Sequence, residues 1–340
     1  MNRPWIIPVA GFLGAGKTTL ILAAARLLSA RNLKCAAILN DQGDALVDSA
    51  YVSANGIHSS EVTGGCFCCR FSDLVHSAEQ LRSFSPDVIF IEPVGSCTDL
   101  SATILQPLKR EFANQYRLAP LTVVVDPTRA ENLTDPNIRF LFESQLAEAD
   151  LIVYNKSDIH VPAAATRSVS ALIGSGVAAW LDEILAATLP IGAKILEIDY
   201  AQYARAEAAL AWLNWSATLR LTPPLSPAQL IGPWLDSLQS ALRHTPIAHL
   251  KIFDQTPSTF LKAALTNDID EPLVEGDLTA SPETEHAILL NLRAVIDPNA
   301  LRELFTVSLA QLPGQRSAEH LQCFSPAPPQ PEHRYADVVT

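Results

Sequence analysis

Two short stretches of the chain combine residue types and spacings that could do chemistry. The first, GFLGAGKTT, has the spacing G-x-x-x-x-G-K-[ST], with Gly11, Gly16, Lys17 and Thr18 in register. Glycines let successive backbone N–H groups turn towards one anion at the start of a helix. Lys17 would reach the β- and γ-phosphates of a nucleotide, and the Thr18 hydroxyl would bind Mg²⁺. We therefore predict a phosphate cradle made of Gly11, Gly14, Ala15, Gly16, Lys17, Thr18 and Thr19.

The second stretch, TGGCFCC, contains Cys66, Cys68 and Cys69, which are half of the six cysteines in the chain. The two glycines before them would let the backbone direct the three sulfur atoms to one point. Thiolates prefer soft or borderline ions such as Zn²⁺, Cu⁺ or Co²⁺ to Mg²⁺. Three thiolates leave one tetrahedral position open, which suits transfer of a metal better than a permanent structural site. The stretch predicts a metal site, with a trio of metal-free thiols as the alternative.

The sequence leaves the fourth ligand of this site open. Candidates are Glu61, an acid of the loop 41–48, a water molecule or a residue of a partner protein. Among the other cysteines, Cys35 and Cys97 are expected to fill the core or a loop, because free cysteines are mostly buried. Cys323, next to a proline-rich tail, is expected to be incidental.

A polar motif after a later apolar run predicts recognition of a base. The stretch IVYNKSD places Asn155, Lys156 and Asp158 at the end of a strand. The Asp158 carboxylate could accept two hydrogen bonds from guanine N1–H and the exocyclic amine, a donor pair that adenine lacks. Asn155 could serve the O6/N7 edge, and the stem of Lys156 could cover the ring. Together with the cradle, the motif predicts GTP as the nucleotide, with a polar turn as the alternative.

The stretch FIEPVG places an acid at the carboxyl end of a buried strand, where ligands of open α/β sheets bind. The carboxylate of Glu92 could hold Mg²⁺ together with Thr18, or orient the attacking water. The N–H of Gly95 could contact the γ-phosphate and so act as a switch. A loop acid without a catalytic role is the alternative.

The stretch LNDQGDALVD is a third acidic loop after a strand. Asp41, Asp44 and Asp48 could position a metal ion or a water molecule, and a solvated acidic loop is an equal alternative. The predicted catalytic residues are Lys17, Glu92 and Asp41.

The elements that must position these residues alternate along the first two hundred positions. Near-continuous apolar strands separated by helices indicate an α/β fold with a doubly wound, mostly parallel sheet covered on both faces. This is the expected architecture of a P-loop NTPase domain. We predict strands at 5–10, 35–40, 87–92, 121–126, 150–155 and 193–199, and helices at 18–30, 73–84, 99–116 and 136–149.

From about residue 205 the pattern changes to successive strands with flanking helices, which predicts a second, smaller α+β domain. The segment 209–221 could be a strand or a helix. We predict helices at 226–244, capped by Ser226, and at 299–312, and strands at 248–253, 259–265 and 286–296. The predicted domains are 1–204, 205–322 and a proline-rich tail, 323–340, disordered at least in part.

The composition narrows the choice of partners and compartment. The formal net charge of −12 disfavours binding to nucleic acid or to an anionic membrane, because the long-range field repels phosphate. Six unevenly spaced cysteines do not suggest a disulfide framework, so reduced thiols in the cytoplasm are expected. We identify neither a signal peptide nor an apolar run that could span a membrane.

Taken in order, GFLGAGKTTL, LNDQGD, EVTGGCFCC, IEPVG, VVVDP and NKSD resemble the motifs of the CobW-type GTPases, relatives of the GTPases that insert nickel into hydrogenase and urease. The resemblance covers about residues 5–160, and the C-terminal part only loosely resembles the small α+β domain of that family. It implies a GTP-hydrolysing metallochaperone whose C-x-C-C motif is Cys66, Cys68 and Cys69.

We therefore expect a GTPase that couples nucleotide state to binding and delivery of Zn²⁺ or Co²⁺, with GTP and Mg²⁺ as ligands and a client metalloprotein as partner. Hydrolysis is expected to be slow without that partner. Two alternatives remain open. The client could be a cobalamin or corrinoid enzyme, or the chain could be a nucleotide-dependent client-binding module with purely structural zinc. The sequence does not indicate an oligomeric state.

Overall fold

The computed structural model describes residues 3–44, 46–130, 133–266 and 271–339. The chain divides into two compact units. The first contains Met1–Gln42, Asn55–Glu207 and Pro328–Thr340, and the second contains Gly43–Ala54 and Ala208–Ala327. The division differs from the predicted boundaries in two places, because residues 43–54 belong to the second unit and the last residues belong to the first. No pattern in the neighbouring sequence indicates either assignment, because both depend on contacts between residues that are distant in sequence.

The first unit contains a parallel sheet whose strands are β1 (Trp5–Ala10), β2 (Cys35–Asn40), β3 (His58–Val62), β4 (Val88–Glu92), β5 (Arg117–Leu118), β6 (Thr122–Val125) and β7 (Leu151–Tyr154). Their order is β3-β2-β4-β1-β6-β7, and β5 pairs with β1. The central strands are buried, as their continuous apolar runs predict. The α/β prediction is confirmed. The parallel arrangement brings the carboxyl ends of all these strands to one edge of the sheet.

Ten helices of the described residues connect or cover the strands. They are α1 (Lys17–Ala30), α2 (Val47–Ala54), α3 (Phe71–Leu81), α4 (Gln106–Phe112), α5 (Pro127–Ala130), α6 (Pro136–Glu148), α7 (Val177–Leu185), α8 (Tyr200–Ala208), α9 (Pro227–Ala241) and α10 (Pro298–Leu309). A π-helical segment, Ser101–Leu105, precedes α4. No helix among the described residues combines the length and the apolar character needed to cross a bilayer.

The predicted strand at 193–199 is wrong, because these residues are irregular. The backbone N–H of Ala193 and that of the preceding Gly192 are used elsewhere. Gly192 and Ala193 donate to the two carboxylate oxygens of Asp150, at 2.6 and 3.0 Å. An apolar alternation alone does not make a strand where the backbone lacks a partner strand.

The strands of the second unit are β8 (Ala211–Leu225), β9 (Ile247–Gln255), β10 (Phe260–Leu265), β11 (Leu273–Gly276), β12 (Glu283–Ala294) and β13 (Gln315–Phe324). They form an antiparallel sheet with the order β11-β10-β9-β12-β8-β13. One face packs against α9 and α10 through a buried cluster that includes Trp215, Trp234 and Phe305. The other face contacts α2, where Lys251 pairs with Asp48 at 2.5 Å. Ser226 caps α9 in a capping box, as predicted.

Candidate functional site: a phosphate cradle and a thiol cluster in the first unit

The phosphate cradle, residues 11–19, joins β1 to α1. Gly11, Gly14 and Gly16 all have positive φ, at 137°, 81° and 90°, which only glycine adopts without strain. A side chain at Gly16 would meet the Asn155 amide nitrogen at 2.3 Å. The loop therefore requires glycine for conformation and for space. The loop leads into the first turn of α1. This turn contains the buried Lys17 and Thr18 and the half-buried Thr19.

An acid from the neighbouring strand reaches this helix start. Glu92 ends β4, which pairs with β1, and its side chain is buried. The Thr18 hydroxyl donates to Glu92 Oε1 at 3.0 Å, and Lys17 Nζ lies 3.8 Å from the same oxygen. A hydroxyl and a carboxylate held together at the positive end of a helix are hard oxygen ligands, so the donor set fits Mg²⁺.

Gly95 lies against the cradle. A Cβ atom at this position would come within 2.8 Å of Leu13 Cδ2 and within 3.0 Å of Lys17 Nζ. The backbone carbonyl of Gly95 accepts from the Gln145 amide at 3.0 Å. Any side chain here would displace the lysine that is predicted to bind phosphate, which gives a physical reason for glycine.

The base-recognition motif is attached to the cradle by Asn155. Its amide donates to the Ala15 carbonyl at 2.9 Å and accepts from the Ala171 N–H at 2.9 Å. The side chain is buried, so these two bonds hold the end of β7 beside the phosphate loop. A contact of Asn155 with the guanine O6/N7 edge stays a prediction, and the structure gives this amide a positioning role.

Lys156 follows with a positive φ of 57° and places its Nζ 2.5 Å from Asp126 Oδ2. Asp126 follows the strand β6 in the stretch VVVDP, is buried, and also accepts from Thr128. Asp158, predicted to read the base, is exposed in the turn after Lys156. No role was predicted for Asp126, although its position directly after a strand is a usable signal.

The three acids predicted in the 41–48 loop separate in the structure. Asp41 follows β2, and its backbone N–H donates to Val62 at 3.2 Å. Asp44 and Asp48 belong to the second unit, where they contact Gln322 and Lys251. The structure therefore gives these two acids contacts within the second unit and does not group them with the thiols. A catalytic role for Asp41 stays a prediction.

The thiol cluster, Cys66, Cys68 and Cys69, lies between β3 and α3. Its three sulfur atoms lie within 4.8 Å of one another, so they could bind one ion. Cys66 Sγ is 3.3 Å from Cys69 Sγ, and Cys68 Sγ is 3.7 Å from the same atom. Cys66 and Cys68 are buried and Cys69 is half-buried. Glu61, a predicted fourth ligand, is exposed on β3 and lies outside this group.

One buried amide shapes the loop that carries the cluster. Asn40, at the end of β2, donates to the carbonyls of Val62 and Gly65, both at 2.8 Å. Its carbonyl oxygen accepts from the Phe67 N–H at 2.7 Å. Three hydrogen bonds from one side chain therefore hold the loop on both sides of Cys66. Asn40 is a residue that the sequence did not single out.

The thiols of the cluster differ in their pKa values. Hydrogen bonds from Cys68, Cys69 and Cys97 lower the pKa of the Cys66 thiol well below its ordinary value. The hydrogen bond to Cys66 in turn is the main cause that raises the pKa of Cys69 to about 11. The cluster thus favours one thiolate among neutral partners. A bound cation would lower the remaining thiol pKa values and complete the ligand set.

The C-terminal segment, residues 328–339, passes over the thiol cluster. The backbone N–H of Gln330 donates to Cys69 Sγ at 3.1 Å, and that of Glu332 donates to the Cys68 carbonyl at 2.9 Å. The Glu332 carboxylate accepts from the N–H and hydroxyl of Ser72, at 3.0 and 2.6 Å. These residues therefore have defined contacts, in contrast to the disordered tail expected from their proline content.

Further along the same segment, Arg334 donates to the buried Asp99 at 2.8 Å and to the Leu196 carbonyl at 2.7 Å. The Tyr335 N–H donates to the Ala102 carbonyl at 3.1 Å. Proline content predicts disorder only where such partners are lacking.

A glycine loop that opens a buried helix, an acid from the adjacent strand and a tethered N-K-x-D turn define the class of P-loop nucleotide-binding proteins. The nucleotide-binding domain model of the CobW/HypB/UreG family matches residues 5–177, and the chain belongs to this family. The resemblance drawn from the motifs is confirmed.

The chain is similar to the zinc chaperone YeiR of Escherichia coli, with 35% identity over 164 residues, which are 45% of this chain and 47% of that protein. It is 31% identical over 185 residues to the zinc chaperone CobW of Sinorhizobium sp, covering 44% of this chain and 50% of that protein. The chain thus spans about half the length of these curated relatives. Among solved structures, Zn(II)-bound YjiA GTPase from E. coli matches 92% of this chain and 100% of its own, at 14% identity and a TM-score of 0.34.

Proposed function

We propose that this protein binds GTP with Mg²⁺, hydrolyses it, and uses the nucleotide state to control binding and delivery of zinc. The observation that supports this most directly is the juxtaposition of three sulfur atoms within 4.8 Å in the same unit as the phosphate cradle. The names of the relatives, zinc chaperones, favour zinc over the cobalt alternative. Reduced thiols of this kind suit the cytoplasm.

In this proposal the cradle residues bind and orient the triphosphate. Backbone N–H groups of the glycine loop and Lys17 neutralise the phosphates, and Thr18 and Glu92 would hold Mg²⁺, which supplies charge compensation for the phosphate oxygens. Asn155 keeps the base turn in register with the cradle. Hydrolysis is expected to be slow alone, because stabilising charge for the transition state often comes from a partner.

The thiol cluster binds the cargo. Two buried sulfurs and one half-buried sulfur would hold Zn²⁺ at a site with one side towards the C-terminal segment. A client metalloprotein would accept the ion by supplying its own ligands while the protein thiolates are replaced one at a time.

The decisive experiment is a zinc titration with a competing chelator. It compares the wild type with Cys66→Ser/Cys68→Ser/Cys69→Ser, each with GDP or a non-hydrolysable GTP analogue. The proposal expects one zinc per chain in the wild type, loss of this site in the triple variant, and affinities that differ between the two nucleotides. Equal affinities would remove the coupling, since a ligand indifferent to both states shifts neither. Zinc that resists chelators in both nucleotide states would favour the structural-zinc alternative.

Base specificity has its own test. Asp158→Asn exchanges a carboxylate for an amide, which should weaken GTP binding by about 10- to 100-fold, the cost of hydrogen bonds to a charged group. Xanthosine triphosphate presents a carbonyl instead of the exocyclic amine, so its binding should weaken less or improve. Equal losses for both nucleotides would show that Asp158 does not contact the base edge. Asp182→Asn, an exposed aspartate on α7, is the matched control.

A further inference from the structure

Cys69 is the thiol of the cluster that a partner molecule can reach. Cys66 and Cys68 are 4% and 1% exposed, whereas Cys69 is half-buried. The three sulfur atoms lie within 4.8 Å of one another, so an ion held by all of them is approached from the side of Cys69. On that side the Gln330 N–H donates to Cys69 Sγ at 3.1 Å. A ligand that takes the ion must therefore replace Cys69 first and displace the backbone at Gln330.

The C-terminal segment, which carries this N–H, contacts the first unit largely through its backbone. The following backbone N–H groups of the segment donate hydrogen bonds to residues of the first unit, at 2.7–3.1 Å: those of Gln330, Glu332, Tyr335 and Val339. Residues 328–339 form neither helix nor strand. A hydrogen bond from the backbone depends on the course of the chain rather than on its side chains. A segment of another protein could therefore make the same bonds.

Glu332 supplies a helix cap that the local sequence lacks. The side chain of Arg70, which precedes α3, makes no capping hydrogen bond. The Glu332 carboxylate instead accepts from the N–H of Ser72, in the first turn of α3, at 3.0 Å and from its hydroxyl at 2.6 Å. A carboxylate is favoured at the positive end of a helix. This position of the surface therefore selects an acidic side chain.

Two further side chains attach the segment beyond this cap. Arg334 donates to Asp99, a carboxylate that is only 1% exposed, at 2.8 Å. The Tyr335 hydroxyl donates to Glu111 at 3.0 Å, and the Arg110 guanidinium lies 5.5 Å from the centre of its ring. The surface therefore accepts a basic side chain two positions after the acid and a tyrosine at the next position.

The attachment of the C-terminal segment is exchangeable. Ordering one residue of a free segment costs conformational free energy of the same order as the net gain from one hydrogen bond. None of the side chains of residues 328–339 is buried, so apolar burial offsets little of this cost. A competing segment that makes the same contacts can therefore take its place.

We propose that the surface under the C-terminal segment is the docking surface for the client, and that Cys69 is the first thiolate that the client replaces. The partner that fits is a peptide segment with an acid, a base and a tyrosine in the spacing of Glu332, Arg334 and Tyr335, and with a thiol at the position of Gln330. One Zn–S bond to Cys69 breaks, one Zn–S bond to the client forms, and the proton of the client thiol passes to the Cys69 sulfur. This inference rests on the proposed function and names its place of transfer.

The first test adds a synthetic peptide to the zinc-loaded full chain, with a zinc-binding dye as the final acceptor. The peptide has the sequence of residues 328–339 with Gln330→Cys. Its matched control has the same residues in scrambled order around a cysteine at the same position. The ordered peptide should accelerate transfer to the dye at least about fivefold more than the scrambled one, because docking raises the local thiol concentration. Equal rates with the two peptides overturn the docking surface.

The second test removes a single N–H group from the full chain. Gln330→Pro deletes the donor to Cys69 within a proline-rich stretch, whereas Gln330→Ala removes only the side chain and is the matched control. Zinc transfer to the dye alone should accelerate about three- to tenfold in Gln330→Pro and change less than about twofold in Gln330→Ala. A Gln330→Pro protein with the wild-type rate contradicts the role of the segment at Cys69.

Amide hydrogen exchange of the unmutated protein gives an answer that does not depend on a variant. In the zinc-loaded chain, the N–H groups of Gln330 and Glu332 should exchange at least about tenfold more slowly than in the free peptide of residues 328–339. Exchange at the rate of the free peptide overturns the proposal.

Failure of the proposed function would be recognised separately. If Cys66→Ser/Cys68→Ser/Cys69→Ser binds zinc like the wild type, the thiol cluster is not the cargo site. If zinc binding requires the cluster but the ordered and scrambled peptides act alike, the cluster stands and the docking surface proposed for the client is wrong.

Discussion

The phosphate cradle and the thiol cluster lie in the same unit, yet they are built in different ways. In the cradle, one continuous stretch supplies the glycines, the lysine and the hydroxyl, and the start of α1 orients them. In the thiol cluster, the short motif supplies only the sulfurs. Asn40 and Gln330, both distant in sequence, provide hydrogen bonds to its loop and to one of its sulfurs. The N-terminus of a helix already presents the N–H groups that bind an anion. A soft-metal site, in contrast, needs supporting hydrogen bonds that only tertiary contacts bring together.

The largest effect expected from this comparison is on the cradle. Lys17→Ala removes the charge that the motif aims at the phosphates, and should weaken GTP binding by about 10- to 100-fold. Zinc binding by the nucleotide-free protein should stay unchanged, because the thiol cluster does not use Lys17. Lys34→Ala, which changes an exposed lysine, is the control. Both quantities can be measured by isothermal titration, and a parallel loss of zinc binding would argue that the two sites are not built separately.

Asn40→Ala tests the tertiary construction of the thiol cluster. It leaves the Phe67 N–H and the carbonyls of Val62 and Gly65 without their partner in a buried loop. Zinc affinity should fall about tenfold, as for loss of an outer-shell contact, while GTP affinity in the absence of zinc should change less than about twofold. If zinc affinity is retained, the C-x-C-C motif binds zinc without the hydrogen bonds of Asn40. The thiol cluster would then be encoded by a local motif, as the cradle is.

Arg334→Ala tests the C-terminal segment over the cluster. The substitution removes the hydrogen bonds to Asp99 and to the Leu196 carbonyl, and should loosen the backbone that reaches Cys69. Transfer of bound zinc to a chelator should accelerate about two- to fivefold, corresponding to roughly 0.4–1 kcal/mol of lost attachment. Arg316→Ala, on β13 of the second unit, should leave the rate unchanged. An unchanged rate for Arg334→Ala would mean that the segment does not control access.

Glu148 tests stability rather than metal or nucleotide binding. Its carboxylate accepts from the Thr98 hydroxyl and from the Ser101 N–H, both at 3.0 Å. Burial raises the pKa of Glu148 to about 8. The folded protein therefore keeps a proton that the unfolded chain releases above about pH 4.3, so the free energy of unfolding should fall as pH rises from about 5 to 8.

Glu148→Gln lacks this titration, so its free energy of unfolding should fall less over the same interval, by roughly 3 kcal/mol. Urea unfolding of both proteins at pH 5.5, 7 and 8.5, followed by fluorescence, measures the difference. Parallel pH profiles for the two proteins would show that Glu148 is ionised in the folded state.

The strands and helices around the cradle were predictable because their patterns are strong and local. β1, β2, β4 and β6 are short apolar runs that are almost fully buried, and β7 is an apolar run in which every second residue is buried. α1 follows directly from the glycine loop. β13 was missed because its residues are mostly polar and exposed, and only pairing with β8 makes it a strand. The prediction of a strand at 193–199 was wrong for the opposite reason. The segment contains apolar residues, but the backbone at its start donates to the Asp150 carboxylate and not to a neighbouring strand.

By itself, the sequence determined the parallel sheet, the family, the phosphate cradle and the three clustered cysteines, because each is encoded by neighbouring residues whose spacing matches the period of a strand, a helix turn or a ligand motif. Only the tertiary structure decided that Asn40 holds the cysteine loop and that the C-terminal segment lies across Cys69. Such contacts join positions 27 to 261 residues apart, and no local pattern specifies them. They form because buried polar groups and thiols must find partners once the sheet has brought its strand ends together.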